Sequence, residues 1–188
     1  MIPINILTIL PNSDTIKKYE ILGGVFLKIR GFEIAKSFEN SEASLPERST
    51  KNSAGYDFSA IEDAVIPSFY KQLIAKAVSG EAVKPALVKT GIKAYMAEDE
   101  VLSIYNRSSN PFKKGLVLAN SVGIIDSDYY GNPDNDGHIM FAFYNFMPFD
   151  ITISKGDKIG QGIFTKFLKA DNDETGADRK GGFGSTGN

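Results

Sequence analysis

Apolar and β-branched residues recur along this chain in short runs broken by turn formers. VFLKIRGFEIA (25–35), ALVKTGIKAYM (86–96), EVLSIYN (100–106), GLVLANSVGIID (115–126), HIMFAFYNFM (138–147), DITISKG (150–156) and KIGQGIFTKFL (158–168) are rich in Val, Ile, Phe and Tyr, residues that suit a pleated, half-buried surface. NPFKKG, YYGNPDNDG, FMPFD and SKGD stand between them, each with the Gly, Pro, Asn or Asp of a tight turn. Many short strands at turn-to-turn spacing predict an antiparallel sandwich or barrel. One segment has another period. In IPSFYKQLIAKAVSG the residues Ile66, Phe69, Tyr70, Leu73, Ile74, Ala77 and Val78 form a helical stripe, with Pro67 suited to a first turn and Gly80 to a C-terminal stop. This predicts one amphipathic helix lying on the sheet.

Residues 171–182, DNDETGADRKGG, turn abruptly acidic and small and bury too little to order themselves. The packed domain is therefore expected to end near Leu168, with a flexible arm over 171–188. The arm closes on GGFGSTGN, where Phe183 is a large ring with little around it to pack against.

Composition narrows the chemistry. At 188 residues, the chain is long enough for one domain with a substantial core. A net charge of -2 argues against a protein that coats nucleic acid or an anionic membrane, so a bound polyanion must be held locally. With no cysteine and a single histidine, His138, neither a disulfide framework nor a Cys/His zinc site can form. Metal chemistry must then use carboxylates, phosphates and a hard cation such as Mg2+. MIPINILTIL lacks a basic leader and a cleavage site, and no window reaches the roughly 18 apolar residues of a membrane span. A cytosolic protein is expected.

Several motif matches dissolve on inspection. GFGSTG (182–187) fits G-x-G-x-x-G but opens no helix within a strand-helix-strand unit. NPDNDG (132–137) begins like a calcium loop, yet Phe143 stands where the bidentate Glu should be, so a turn is expected. Asn106-Arg107-Ser108 is a glycosylation sequon without a secretory signal. Three stretches keep two readings each. In GIIDSDYYGN an apolar strand runs into Asp126 and Asp128, an ordinary turn or a carboxylate placed to polarise water, with strand alternation putting both carboxylates on one face. NRSSN (106–110) is a solvated turn or a phosphate clamp of one guanidinium and two hydroxyls. RKGGFGSTG (179–187) is a loose tail or a phosphate-wrapping backbone around Phe183.

Taken in order, AGYDFSA (54–60), NRSSNPFKKGL (106–116), NSVGIIDSDYYGN (120–132), KIGQGIF (158–164) and RKGGFGSTG (179–187) resemble the five motifs of the trimeric dUTPase family, in particular its phage and bacterial members. The resemblance implies a distorted antiparallel jelly-roll-like β-barrel, here one domain over 1–188 with a helical insertion at 62–84. It also implies Mg2+-dependent hydrolysis of dUTP to dUMP and pyrophosphate in a homotrimer with sites at subunit interfaces. By the family pattern Asp126 orients and deprotonates the attacking water, and Tyr129 carries the deoxyribose so that a ribose 2'-hydroxyl clashes. Asn120 and the backbone around Gly123 and Ile125 read uracil; Arg107, Ser108, Ser109 and Gln161 hold phosphates. Asp57 anchors waters on the metal. Phe183 stacks on uracil while Arg179, Gly184, Ser185 and Thr186 close over the β- and γ-phosphates. The chain departs from that pattern in an arm motif one residue shorter before Gly-Gly-Phe, and in Asn106 and Ser109 where the family has Pro and Gly.

Rival readings have their own requirements. A dCTP deaminase-like enzyme needs a Glu at the base, and none lies between Asp126 and Lys169. A regulatory protein-binding module, a role the resemblance extends to phage members, would use the 62–84 insertion or the first 45 residues. A carbohydrate-binding jelly roll would need aromatic platforms, and the chain has no Trp.

Overall fold

The structure is a computed structural model that describes residues 19–22 and 25–176, with side chains from Lys28 onward. Fourteen strands form the framework of the described residues: β1 (Tyr19–Leu22), β2 (Val25–Lys28), β3 (Gly31–Ile34), β4 (Glu47–Arg48), β5 (Tyr56–Ser59), β6 (Ala64–Ile66), β7 (Ala86–Lys89), β8 (Ile92–Tyr95), β9 (Glu100–Asn106), β10 (Leu116–Leu118), β11 (Val122–Asp126), β12 (Met140–Asn145), β13 (Ile151–Ile153) and β14 (Lys158–Lys166). Among the described residues the one α-helix, α1 (Phe69–Ser79), lies between β6 and β7.

The strands pair antiparallel into five small sheets, the largest in the order β11-β9-β14-β5-β4 and the next β10-β12-β7. The all-β expectation holds, but the sheets do not join into one closed barrel. Three predicted runs are cut where the backbone changes direction. The 86–96 run breaks at Gly91 (φ +74), so β7 pairs with β12 while β8 pairs with β3. The 115–126 run breaks at Ser121, a non-glycine at φ +59, sending β10 to β12 and β11 to β9. The 25–35 run breaks at Arg30, whose guanidinium grips the buried Glu100 at the start of β9. Each cut lets one stretch of chain serve two sheets, and the core collects between them: Phe58, Leu102, Ile104, Ile125, Ile139, Phe141 and Phe143 are all buried there.

Glycines in β14 shape this core. A Cβ on Gly160 would sit 2.7 Å from ring atoms of Phe141, and one on Gly162 would meet Phe58 at 2.8 Å and Leu102 at 2.9 Å. Bare backbone is what lets these side chains rest on the strand. Gly160→Ala is expected to destabilise the protein by about 1–3 kcal/mol through overpacking, read as a lower denaturant midpoint with an unchanged slope.

The helix corrects two expectations. Pro67 precedes the N-cap Ser68 rather than occupying the first turn, and Gly80 does end the helix at φ +78. The stripe is not laid on the sheet: no helix residue is buried, and Tyr70, Leu73, Ile74 and Val78 are exposed, Val78 at 84%. Phe69 alone makes ring contacts with the sheet region, at 5.6 Å from Tyr144 and 4.9 Å from Phe146. Among the described residues no helix is long and apolar enough to cross a membrane.

Candidate active site

Strand register builds the first half of the site. Gln161 of β14 lies opposite Asp57 of β5 and opposite Tyr105 of β9, so the three share one face of the sheet. Gly160 and Gly162 turn to the core, and alternation therefore turns Gln161 outward. Its amide lies over Gly55, where a Cβ would collide with the side-chain oxygen. Arg107 and Ser108, just past the end of β9, complete an open cleft of about 220 Å³ with Ser49, Ser53, Gly55, Asp57 and Gln161. Ser109 follows with φ −75 and ψ −23, an ordinary right-handed conformation, so serine replaces glycine there without backbone strain.

Cations and hydroxyls gather around Asp57. Asp57 accepts from Lys158 Nζ and Ser49 Oγ, each at 2.7 Å, and Arg107 Nε stands 3.9 Å away. Burial works to raise the Asp57 carboxyl, but hydrogen bonds from Lys158 and Ser49 and the nearby positive charges of Lys158 and Arg107 hold it below the usual carboxylate range. Arg107 and Lys158 thus flank Asp57, with Glu47 of β4 opposite it in register. Sequence reasoning missed Lys158 and Ser49. Lys158 opens the KIGQGIF segment, but its pairing with a residue 101 positions away has no local signature; Ser49 had none.

The second half-site lies on β11 and the turn after it. Asp126, half-buried, ends the strand opposite Val101 of β9. Gly123 and Ile125 are buried against the core, so only their backbone is available to a ligand. A Cβ on Gly123 would press on Ile104 and sit 3.3 Å from Asn120 Nδ2, which fixes Asn120 beside the bare strand. A 3-10 turn (Ser127–Tyr129) begins directly after Asp126. The strand alternation expected to align Asp128 with Asp126 therefore does not reach Asp128. Tyr129 is 5% exposed, its ring in the core and its hydroxyl bonded to the loop that follows.

The two halves do not meet within one protomer. The β11–β9 ladder pairs Asp126 with Val101 and Val122 with Tyr105, so Asp126 and Arg107 lie six residues apart along β9, roughly 20 Å at 3.3 Å per residue. Arg179, Phe183, Gly184, Ser185 and Thr186 fall outside the described residues.

NPDNDG is a turn, as expected. Asn132 Oδ1 accepts from the Asp134 N–H at 3.0 Å, and Asp136 (φ +60) takes the Lys93 ammonium at 2.8 Å and the Lys36 N–H at 2.9 Å. Among the described residues no three His, Cys, Asp or Glu side chains cluster to hold a metal. His138 is buried, its Nε2 accepting the Gly91 N–H at 3.0 Å and its ring 4.6 Å from that of Phe38; it is part of the core.

Fold and half-sites define a mainly β protein with a polar cleft, lined by Arg107, Ser108 and Gln161, at one end of a strand ladder and a carboxylate at the other. A dUTPase family profile matches residues 41–187. The deoxyuridine 5'-triphosphate nucleotidohydrolase of Lactococcus lactis subsp. lactis (strain IL1403) is 48% identical over 163 residues, 86% of this chain and 99% of that protein. The nucleotidohydrolase of the same name from Glaesserella parasuis serovar 5 is 33% identical over 153 residues, 78% of this chain and 89% of the relative. Among solved structures, the dUTPase of Streptococcus mutans superposes with a TM-score of 0.63 at 41% identity, covering 75% of this chain and 98% of that one. The dUTPase of Staphylococcus aureus phage phi11 shares the fold, with a TM-score of 0.57 at 19% identity over 84% and 99% of the two chains. The chain belongs to the dUTPase family.

Proposed function

We propose that this chain, a dUTP diphosphatase of the dUTPase family, cleaves dUTP to dUMP and pyrophosphate by attack of an Asp126-activated water on the α-phosphorus, in a homotrimer whose sites are shared between subunits. The convergence of Arg107, Ser108 and Gln161 on one cleft carries the reading. A triphosphate needs positioning and charge neutralisation more than covalent help, and this cleft has the groups for both. The roughly 20 Å between Arg107 and Asp126 supports assembly, because a site that uses both must draw them from different chains. Asp126 receives the proton of the attacking water. Asn120 and the backbone at Gly123 and Ile125 read the base, and the Tyr129 ring carries the sugar. Ser109 joins Arg107, Ser108 and Gln161 on the phosphates. Arg179, Phe183, Gly184, Ser185 and Thr186 close over the nucleotide and expel bulk water. One domain spans 1–188, with the arm as its lid. A cytosolic location, in a bacterium or a phage-infected cell, suits an enzyme of the nucleotide pool.

Mg2+ fits these residues as a cation brought by the substrate. Among the described residues one carboxylate, Asp57, lines the cleft, and Lys158 and Ser49 already bond to it; such a donor set suits an ion that keeps its waters and binds chiefly to phosphate oxygens. When bound, Mg2+ supplies charge neutralisation on the triphosphate, with Asp57 holding its waters. A phage phi11 dUTPase variant is described with a coordinated structural Mg(II) ion.

The test is pyrophosphate release with Mg2+ across dUTP, dTTP, dCTP and UTP. Turnover of dUTP alone is expected; ammonia from dCTP, or indifference to the sugar, would overturn the assignment. A second role as a protein-binding module draws on one observation, the exposed stripe Tyr70, Leu73, Ile74 and Val78 on α1.

A further inference from the structure

The loop Asn132–Gly137 lengthens the hairpin after Asp126 and bonds to Tyr129, the residue assigned to the sugar. It wraps that residue closely. The Tyr129 hydroxyl accepts a hydrogen bond from Asn135 Nδ2 at 2.7 Å and donates to the His138 carbonyl at 3.3 Å. The Tyr129 carbonyl accepts the Asn132 N–H at 3.2 Å. Gly137 (φ +80) lies so near that a Cβ on it would be 2.5 Å from the Tyr129 carbonyl oxygen and 3.1 Å from the Tyr130 Cα. Asn135 is itself fixed, its Oδ1 accepting the Gly137 N–H at 3.1 Å and its carbonyl the His138 N–H at 3.0 Å. Asp136 pins the loop to Lys93 and to the Lys36 N–H. Pivoting the ring would break two bonds in a poorly hydrated place, where lost hydrogen bonds are not replaced by water.

We infer that Asn135 is a positioning residue for nucleotide selection: by holding the Tyr129 phenol it fixes the ring that excludes a ribose 2'-hydroxyl, and so sets the preference for dUTP over UTP. This rests on the reading that Tyr129 carries the deoxyribose. Excluding one oxygen by shape requires a wall that does not give. A ring free to move by a fraction of an ångström admits the extra atom, and small displacements of positioning groups carry large kinetic consequences. Asn135 needs no contact with the nucleotide to act in this way.

The experiment measures kcat and KM separately for dUTP and UTP in the full-length parent, Asn135→Ala, Tyr129→Phe and the double variant. Asn135→Ala is expected to reduce the dUTP:UTP ratio of kcat/KM about tenfold, chiefly by lowering the KM for UTP. Tyr129→Phe, which keeps the ring and loses both bonds, gives at least as large a reduction, and the double variant adds nothing beyond Tyr129→Phe because the Asn135 bond is already lost with the phenol. A purely structural role would lower kcat/KM for both substrates alike. An unchanged ratio in Asn135→Ala, or additive reductions in the double variant, overturns the inference while leaving the assigned activity intact. A parent that turns over UTP as readily as dUTP overturns the sugar role of Tyr129 and the inference with it. If Asn135→Ala fails to fold, Asn135→Ser keeps an oxygen for the Gly137 N–H but is too short to reach the phenol, and is held to the same ratio.

Discussion

Asp126→Asn is expected to slow pyrophosphate release by about 10²–10⁴-fold, the range for loss of a general base, with dUTP affinity unchanged or tighter. The substitution keeps shape and backbone, since register with Val101 fixes the end of β11. The amide is no base, and removing a negative charge beside a polyanion does not weaken its binding. Single-turnover rates and calorimetric titration separate the two effects. Turnover at the parental rate would place the base elsewhere.

The same variant tests how the site is assembled. With Asp126 and Arg107 at opposite ends of one ladder, Asp126→Asn and Arg107→Ala damage different contributions. If a site takes its carboxylate from one chain and its guanidinium from another, mixing the two inactive proteins with reassortment restores activity in about a quarter of the sites, by random pairing of chains. If both groups served one site from a single chain, the mixture would stay as inactive as its components.

What the sequence made legible, and what it hid, follows from the range of each signal. Strand alternation is local, so the β-rich fold and the end of the helix at Gly80 were readable. The switch between sheets at Ser121 was not, because a serine in the left-handed region looks like any other serine. The stripe on α1 is real, yet periodicity reports that a helix has an apolar face and says nothing about what covers it. Arg107 and Ser108 could be singled out from a local cluster, Gln161 and Asp57 only from the family resemblance, and the structure brings all four to one cleft. Their separation from Asp126 is a matter of register, and register is set by pairings that no single segment contains. The Lys158–Asp57 pair was hidden for the same reason; the Asn135–Tyr129 bond is local, six residues apart, but depends on how the turn folds back, which residue types alone do not show.

Acid is expected to weaken the fold through His138 before the carboxylates respond. Burial, with a smaller push from the Lys89 charge, lowers its pKa from the ordinary 6.5 to about 4. Phe38 covers one side of the ring and the Gly91 N–H points at Nε2, so a proton there would face a donor. Glu62, paired with Lys89 at 2.9 Å, opposes the shift only in part. The unfolded chain takes up this proton near pH 6.5 and the folded one near 4. The contribution is therefore fully present above pH 6.5 and lost as pH falls toward 4, amounting to about 3 kcal/mol by proton linkage. Asp57, Glu100 and Asp136 are held below their ordinary values by their partners, so their contributions are lost mostly at lower pH. His138→Gln retains an acceptor for Gly91 and does not titrate. Denaturant unfolding at pH 7 and pH 4.5, at one protein concentration, should show the parent losing most of that 3 kcal/mol and the variant following a flatter course. Parallel curves for the two proteins would mean that His138 is protonated in place without cost, and that the buried ring does not govern acid stability.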